Sequence, residues 1–304
     1  MMDLSFYEFF LLEEDFPNYT FGVEIEVPLY HTKEGIDRDA VMGQAVKSMQ
    51  LGWKWTVDQT CMPGVEIVCS PNPITSDALG ALESDVEHFK QTIEAAGMKV
   101  FDRPSRCATH FHIGGLDMDT KIKIAELWTK GGVQDMGNKL ISPDRKQLMD
   151  GDPRSSYMRR VSSINQYQTL PHRLATTKAG KMFQKIGNWL LNTISLDKYG
   201  KYDKFYSMSP RGGLGTLEFR TKETTLDGKE LSTIVRMIAA LAASTDQLYG
   251  QMQQQPLQSG DVRRAMYQHG VGPHDIAHVM RNAAGRTNTN VPRGTNQGKQ
   301  QASE

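Results

Sequence analysis

Four short segments of this 304-residue chain alternate apolar and ionisable side chains with a period of two. No other feature narrows the possible folds as much. In "FGVEIEV", Glu24 and Glu26 alternate with Val23, Ile25 and Val27. In "GVEIV", Glu66 stands between Val65 and Ile67. In "THFHIG", His110 and His112 alternate with Phe111 and Ile113, and in "TLEFR", Glu218 and Arg220 alternate with Leu217 and Phe219. Successive side chains on a strand point to opposite faces, so each segment reads as a strand with one apolar and one ionisable face. Glu24 and Glu26 lie about 6–7 Å apart along such a strand. If the four strands join one sheet, its apolar face packs on helices and its other face collects carboxylates, imidazoles and a guanidinium.

Any antiparallel sheet with one wet face alternates in this way. Ordinary wet strands favour Lys, Thr, Ser and Gln, however, and lysine is absent from the polar positions of all four segments. Glutamates beside histidines suit a divalent cation: carboxylate oxygens for Mg²⁺ or Mn²⁺, with imidazole more at home on Mn²⁺. Crowded carboxylates also raise one another's pKa unless a cation offsets them.

The remaining pattern supports a mixed α+β architecture. "WKWTVD" and "GVEIVCS" read as a strand pair around a short Pro63–Gly64 loop, and "KYDKFYSMSP" and "LGTLEFRTK" as strands flanking "RGG". Helical periods follow Thr75 or Ser76 up to a stop near Gly97, in "TKIKIAELWTKGG", over 178–193, as one long helix in "LSTIVRMIAALAASTDQLYGQM", and over about 261–282 with an interruption at "GVGP". Hairpin-like pairs outnumber βαβ units. The expected fold is a curved, mainly antiparallel sheet with helices packed on one face. Residues 1–282 read as a single domain and 283–304, rich in Asn, Gly, Thr and Gln, as a disordered polar tail.

Several function classes are set aside. Lys plus Arg equals Asp plus Glu at 35 each, so no global charge draws the chain to nucleic acid or to an anionic membrane. No apolar run approaches the roughly 20 residues of a membrane helix, and the acidic start is not a secretory signal. Three scattered cysteines form no CxxC pair. They read as small apolar packing groups and suit a reducing cytoplasm. No P-loop, GxSxG or HExxH motif occurs. The cluster "RSSYMRR", Arg154 to Arg160, reads either as a solvated helix face or as an anion site.

Taken together, "FGVEIEV", "TVDQTCMPGVEIVCSP", "CATHFHIGG" and "GTLEFRTKETTLD" resemble the amidoligase family. That family is part of the carboxylate–amine ligase group, which shares its fold with glutamine synthetase and glutamate–cysteine ligase. The resemblance runs from about Phe21 to Asp227 in matching order; the last two helices and the tail lie outside it. It implies a glutamine synthetase-like catalytic fold and an ATP-dependent ligase that joins a carboxylate substrate to an amine through an acyl phosphate.

It also implies a set of residue roles. Glu24 and Glu26 would face different metals. His110 would be a metal ligand and His112 a nucleotide contact. Glu218 would be a metal carboxylate and Arg220 a phosphate- or substrate-facing group. Asp58 and Glu66, eight residues apart, match the spacing of the remaining metal ligands. The carried-over catalytic groups are Arg220, Glu26 and Glu66, with Arg160 beside His112 and Arg220 at the nucleotide. "YMRRVSSINQY" also offers Arg159 or Asn165. The chain departs from many relatives at Asp58, Gln59, Thr60, where they read aspartate–glycine–serine. Two other readings use the same strands: a metal-dependent hydrolase or nuclease that activates water, and a non-catalytic binding protein on this fold.

Overall fold

The computed structural model describes residues 15–31, 35–58, 61, 64–100, 107–130, 133–143, 208–211 and 215–285. The expected helix over 178–193 and the residues Arg154, Arg159, Arg160 and Asn165 lie outside these, as does the chain beyond 285.

The sheet is built around β1 (Phe16–His31), a strand of 16 residues. It pairs with β3 (Gly64–Val68) on one side and β6 (Ala108–Gly114) on the other. Two short strands, β4 (Asn72–Ile74) and β5 (Met98–Val100), pair with its opposite ends. Outside these lie β2 (Lys54–Val57), β8 (Thr216–Glu223) and β7 (Met208–Arg211), giving the order β2-β3-β1-β6-β8-β7 with every pairing antiparallel. The two hairpins expected from sequence, β2–β3 and β7–β8, are both present.

Among the described residues there are eight helices: α1 (Arg38–Lys47), α2 (Ser76–Ala95), α3 (Met118–Lys130), α4 (Val133–Gly137), α5 (Gly228–Ala243), α6 (Thr245–Met252), α7 (Ser259–Gln268) and α8 (Pro273–Gly285). The apolar residues of the four alternating segments are all buried. They pack in one cluster with Leu82, Val86 and Phe89 of α2 and Leu231 and Val235 of α5. Each such side chain contributes about 1.5–3 kcal/mol when fully buried. The starts of α2 and α5 follow the capping rule. Thr75 Oγ1 accepts the Ala78 N–H and Asp227 the Glu230 N–H, each satisfying a donor that the first turn leaves open.

The expected long helix after Leu231 is instead two, α5 and α6, broken at Ser244. Thr245 Oγ1 donates to the Leu241 carbonyl, the back-bonding by which Ser and Thr bend helices. The last helical stretch is interrupted at "GVGP" as expected, giving α7 and α8, and α8 runs past 282 with Ala283 buried. No helix among the described residues is long and apolar enough to cross a membrane.

The cysteine expectation needs correction. Cys61 and Cys107 form a disulfide, their Cα atoms 5.5 Å apart, and only Cys69 remains a free, buried thiol. The fold brings together two residues 46 apart in sequence, a proximity that spacing alone does not reveal. Burial pushes the Cys69 thiol up to about 12. The cysteine count therefore no longer argues for a reducing compartment. Thiol titration in denaturant should find one reactive thiol before reduction and three after it; three before reduction would show the pair unformed. Reduction should cost about 2–4 kcal/mol of stability.

Asp85 of α2 holds the turn before β2. Its buried carboxylate accepts from Gln50 N (2.8 Å), Leu51 N (2.9 Å) and Trp53 Nε1 (2.9 Å). Asp85→Ala strands three donors, so a loss of about 3 kcal/mol is expected by urea unfolding. A change under about 0.5 kcal/mol would mean that the clamp is not formed in solution.

Candidate active site

The cross-strand register gathers the ionisable residues. Glu26 pairs with Glu66, Glu24 with His110, and His112 with Glu218. Three adjacent strand pairings thus set carboxylates and imidazoles side by side on the face away from the helices.

His110 sits at the centre and is 3% exposed. Its Nδ1 lies 3.1 Å from Glu24 Oε2 and 3.6 Å from Glu218 Oε1; its Nε2 lies 3.6 Å from Glu26 Oε1. His112 Nε2 lies 3.1 Å from Glu24 Oε1 and 3.9 Å from Glu218 Oε1. Arg220 Nη1 donates to Glu218 Oε1 at 2.6 Å. Glu26 is held by the backbone, its Oε2 accepting the Ala108 N–H at 2.8 Å. On the other strand pair, the Asp58 N–H reaches the Gly64 carbonyl at 3.4 Å. The chain there is tight: a Cβ on Gly64 would meet the Cys61 carbonyl at 2.2 Å and that of Val27 at 2.9 Å.

Electrostatics at this face push its carboxyls in opposite directions. Burial raises the Glu66 carboxyl, and the charges of Glu24 and Asp58 add to that shift, with Arg220 opposing. Burial alone would raise Glu24 too, but the neighbouring His110 and His112 imidazoles outweigh it and hold Glu24 well below the usual carboxylate range. Burial, and next the Arg220 charge, lower the His110 imidazole. Carboxylates this close need positive charge between them, and Arg220 and a His110 imidazole whose protonation burial disfavours supply little.

Two sets of three donor atoms, each mutually within 4.8 Å, could hold a cation: Glu24 with Glu66 and His110, and Glu24 with His112 and Glu218. The mixed carboxylate–imidazole chemistry fits Mn²⁺ or Mg²⁺. Glu26 and Asp58, both expected at a metal, complete no such three-donor set among the described residues. Both still border one: Glu26 faces His110, and the Asp58 charge acts on Glu66. Arg160 lies outside the described residues.

Two features were not foreseen. Between Thr109↔Lys222 and Phe111↔Phe219 the register slips by one residue. This bulge turns Lys222 beneath the sheet, although strict alternation places it with Glu218 and Arg220. Bulges re-aim side chains in this way beside active sites. Lys222 Nζ is then tied to Glu223 Oε1 (2.8 Å), Glu230 Oε1 (2.8 Å) and the Leu140 carbonyl (2.9 Å), all three charged groups being buried. Lys222 also borders an apolar cavity of about 60 Å³, with Phe111, Trp128, Leu140 and Phe219. That cavity lies on the helix side, apart from the ionisable face, and its lysine is fully engaged. The second feature is Thr216, whose Oγ1 lies 3.3 Å from His112 Nδ1. Counting back two from Glu218 places it on the same face, a signal available in the sequence.

No protein-family model matches the sequence, and no curated protein does. Several solved structures are similar in fold. A glutamine synthase homolog has a TM-score of 0.45 at 11% identity, over 87% of this chain and 66% of that one. A bifunctional glutathione synthetase from Pasteurella multocida has a TM-score of 0.47 at 11% identity, over 94% and 49%. GmaS, in an apo form, has a TM-score of 0.42 at 14% identity, over 89% and 69%. The chain thus spans about two thirds, half and two thirds of the lengths of these proteins.

A cation that binds only the folded chain adds about 2.7 kcal/mol at 100 times its Kd. Mn²⁺ is accordingly expected to raise the Tm by several degrees, and Glu24→Ala, which touches both donor sets, to abolish that rise. An equal rise in the variant would remove Glu24 from the metal assignment.

Proposed function

We propose that this chain is an ATP-dependent carboxylate–amine ligase that forms an amide or isopeptide bond through an acyl phosphate. One observation carries the reading: Glu24, Glu66, His110, His112, Glu218 and Arg220, drawn from four strands, meet on one buried sheet face with two three-donor cation sets. The motif resemblance to the amidoligase family supplies the reaction class.

The chemistry divides into two transfers. A carboxylate oxygen of the first substrate attacks the γ-phosphorus of ATP, and ADP leaves. The amine nitrogen of the second substrate then attacks the acyl carbon, phosphate leaves, and the nitrogen gives up a proton. Phosphoryl transfer asks a protein for positioning and charge neutralisation more than for covalent help. Divalent cations, when held by Glu24 with His110 and Glu66 and by Glu24 with His112 and Glu218, would supply that neutralisation at the phosphates.

The chain's own groups do the rest. Glu218 holds the Arg220 guanidinium beside the donor sets, where it can follow charge onto the moving phosphoryl group. The Ala108 N–H fixes the Glu26 carboxylate against His110. Asp58 and Glu66 form the acidic wall on the β2–β3 side. Arg160 is assigned to the nucleotide. An ATP-consuming reaction suits the cytoplasm. A stable disulfide is unusual there, which gives the thiol count a second use.

The test incubates the protein with ATP, Mn²⁺ or Mg²⁺, and a panel of amino acids, peptides and amines. Amine-dependent ADP release with a condensation product by mass spectrometry is expected. Arg220→Ala should lower kcat by two to three orders of magnitude, the scale for losing a charge-stabilising donor. Metal-dependent cleavage of a phosphodiester or amide without ATP would instead favour a hydrolase. Absence of both metal and ATP binding by calorimetry would favour a non-catalytic role.

A further inference from the structure

The two histidines of β6 are not held alike. His110 has carboxylate oxygens near both ring nitrogens. His112, only 7% exposed, has a neutral hydroxyl, Thr216 Oγ1, at Nδ1, 3.3 Å away. Its Nε2 is buried and faces Glu24 Oε1 at 3.1 Å and Glu218 Oε1 at 3.9 Å, yet it completes no hydrogen bond there. The approach to Glu24 has the distance of a hydrogen bond without its geometry, and two facing lone pairs at this separation repel unless a cation lies between them.

Thr216 is itself fixed. A β-branched side chain is stiff about χ1, and its methyl lies over Gly114. A Cβ on Gly114 would stand 3.5 Å from Thr216 Cγ2 and 2.5 Å from Thr20 Oγ1. The glycine therefore leaves the space that the threonine needs to turn its hydroxyl to the ring. A hydroxyl can accept as well as donate. When it accepts from Nδ1–H, the Nε2 lone pair points between two carboxylates. This arrangement of an outer partner fixing the tautomer of a metal-bound imidazole recurs in metal sites.

We infer that Thr216 is a positioning residue that presents His112 Nε2 to a divalent cation shared with Glu24 and Glu218, which makes His112 a metal ligand and not the nucleotide contact implied by the family resemblance. The inference rests on the ligase reading only in requiring a divalent cation at this face.

The experiment uses Mn²⁺ alone, without nucleotide, by calorimetry, and Co²⁺ absorption as a signature of imidazole ligation. Against wild type, Thr216→Val should weaken one Mn²⁺ site about 10–100-fold and shift the Co²⁺ bands. Thr216→Ser, which keeps the hydroxyl, should restore both. His112→Gln should lose that site while binding a non-hydrolysable ATP analogue as wild type does in the absence of metal; it carries the same comparison if the valine variant does not fold. Unchanged Mn²⁺ binding in Thr216→Val overturns the inference and leaves the ligase reading standing. Unchanged Mn²⁺ binding in His112→Gln with loss of the analogue returns His112 to the nucleotide. A wild-type chain that binds no Mn²⁺ overturns the inference, and one that also binds neither Mg²⁺ nor ATP overturns both.

Discussion

The register of β1 between β3 and β6 is the constraint on which the rest depends. Glu24 stands opposite His110 and Glu26 opposite Glu66 because Val23, Ile25 and Val27 must all enter the core beside Val65, Ile67 and Phe111. A slip of one residue would send three valine or isoleucine side chains to water and bury the glutamates under the helices. Burying these apolar side chains therefore also fixes which acids meet which imidazoles. Placement of the ionisable groups rides on the hydrophobic effect, the largest favourable term available to a chain of this size.

Much of this was legible because a strand's period of two writes both faces into the sequence at once. The segments around Glu24, Glu66, His110 and Glu218 could be read as strands of one sheet, and their polar positions as one face. Features that depend on contacts distant in sequence could not be read. Nothing in "LEFRTKE" marks the one-residue slip that sends Lys222 under the sheet, since a bulge is set by the partner strand. Cys61 and Cys107 looked unrelated because their closeness comes from the pairing of β3 and β6 with β1. The break at Ser244 lay within a run of helical period, where a Ser–Thr pair was a weak cue. α1 was missed because "RDAVMGQAVK" has no clear apolar stripe, and only Met42 and Ala45 are buried. Within the site, the difference between His110 and His112 rests on what stands at Nδ1 of each, which no spacing rule records.

Lys222, Glu223 and Glu230 show how the fold carries charge under its own active face. Removing the lysine would leave two buried carboxylates facing each other, whereas the complete set is hydrogen-bonded, with Ser142 N on Glu223 and Thr225 Oγ1 on Glu230. This network joins the end of β8 to α5 and to the residues after α4. One residue on, Thr224 Oγ1 donates to the Glu26 carbonyl at 2.5 Å. The buried ion network and the ionisable face are thus two sides of one strand end.

Glu24 offers oxygens to both donor sets. Two ions seated there would divide a single carboxylate, so neither could be described by a private affinity. Filling one position withdraws electron density and orientation from the other, and by thermodynamic linkage the effect is mutual and equal in both directions. A titration of this face would then trace one coupled curve, with its shape set by the geometry of one side chain on β1.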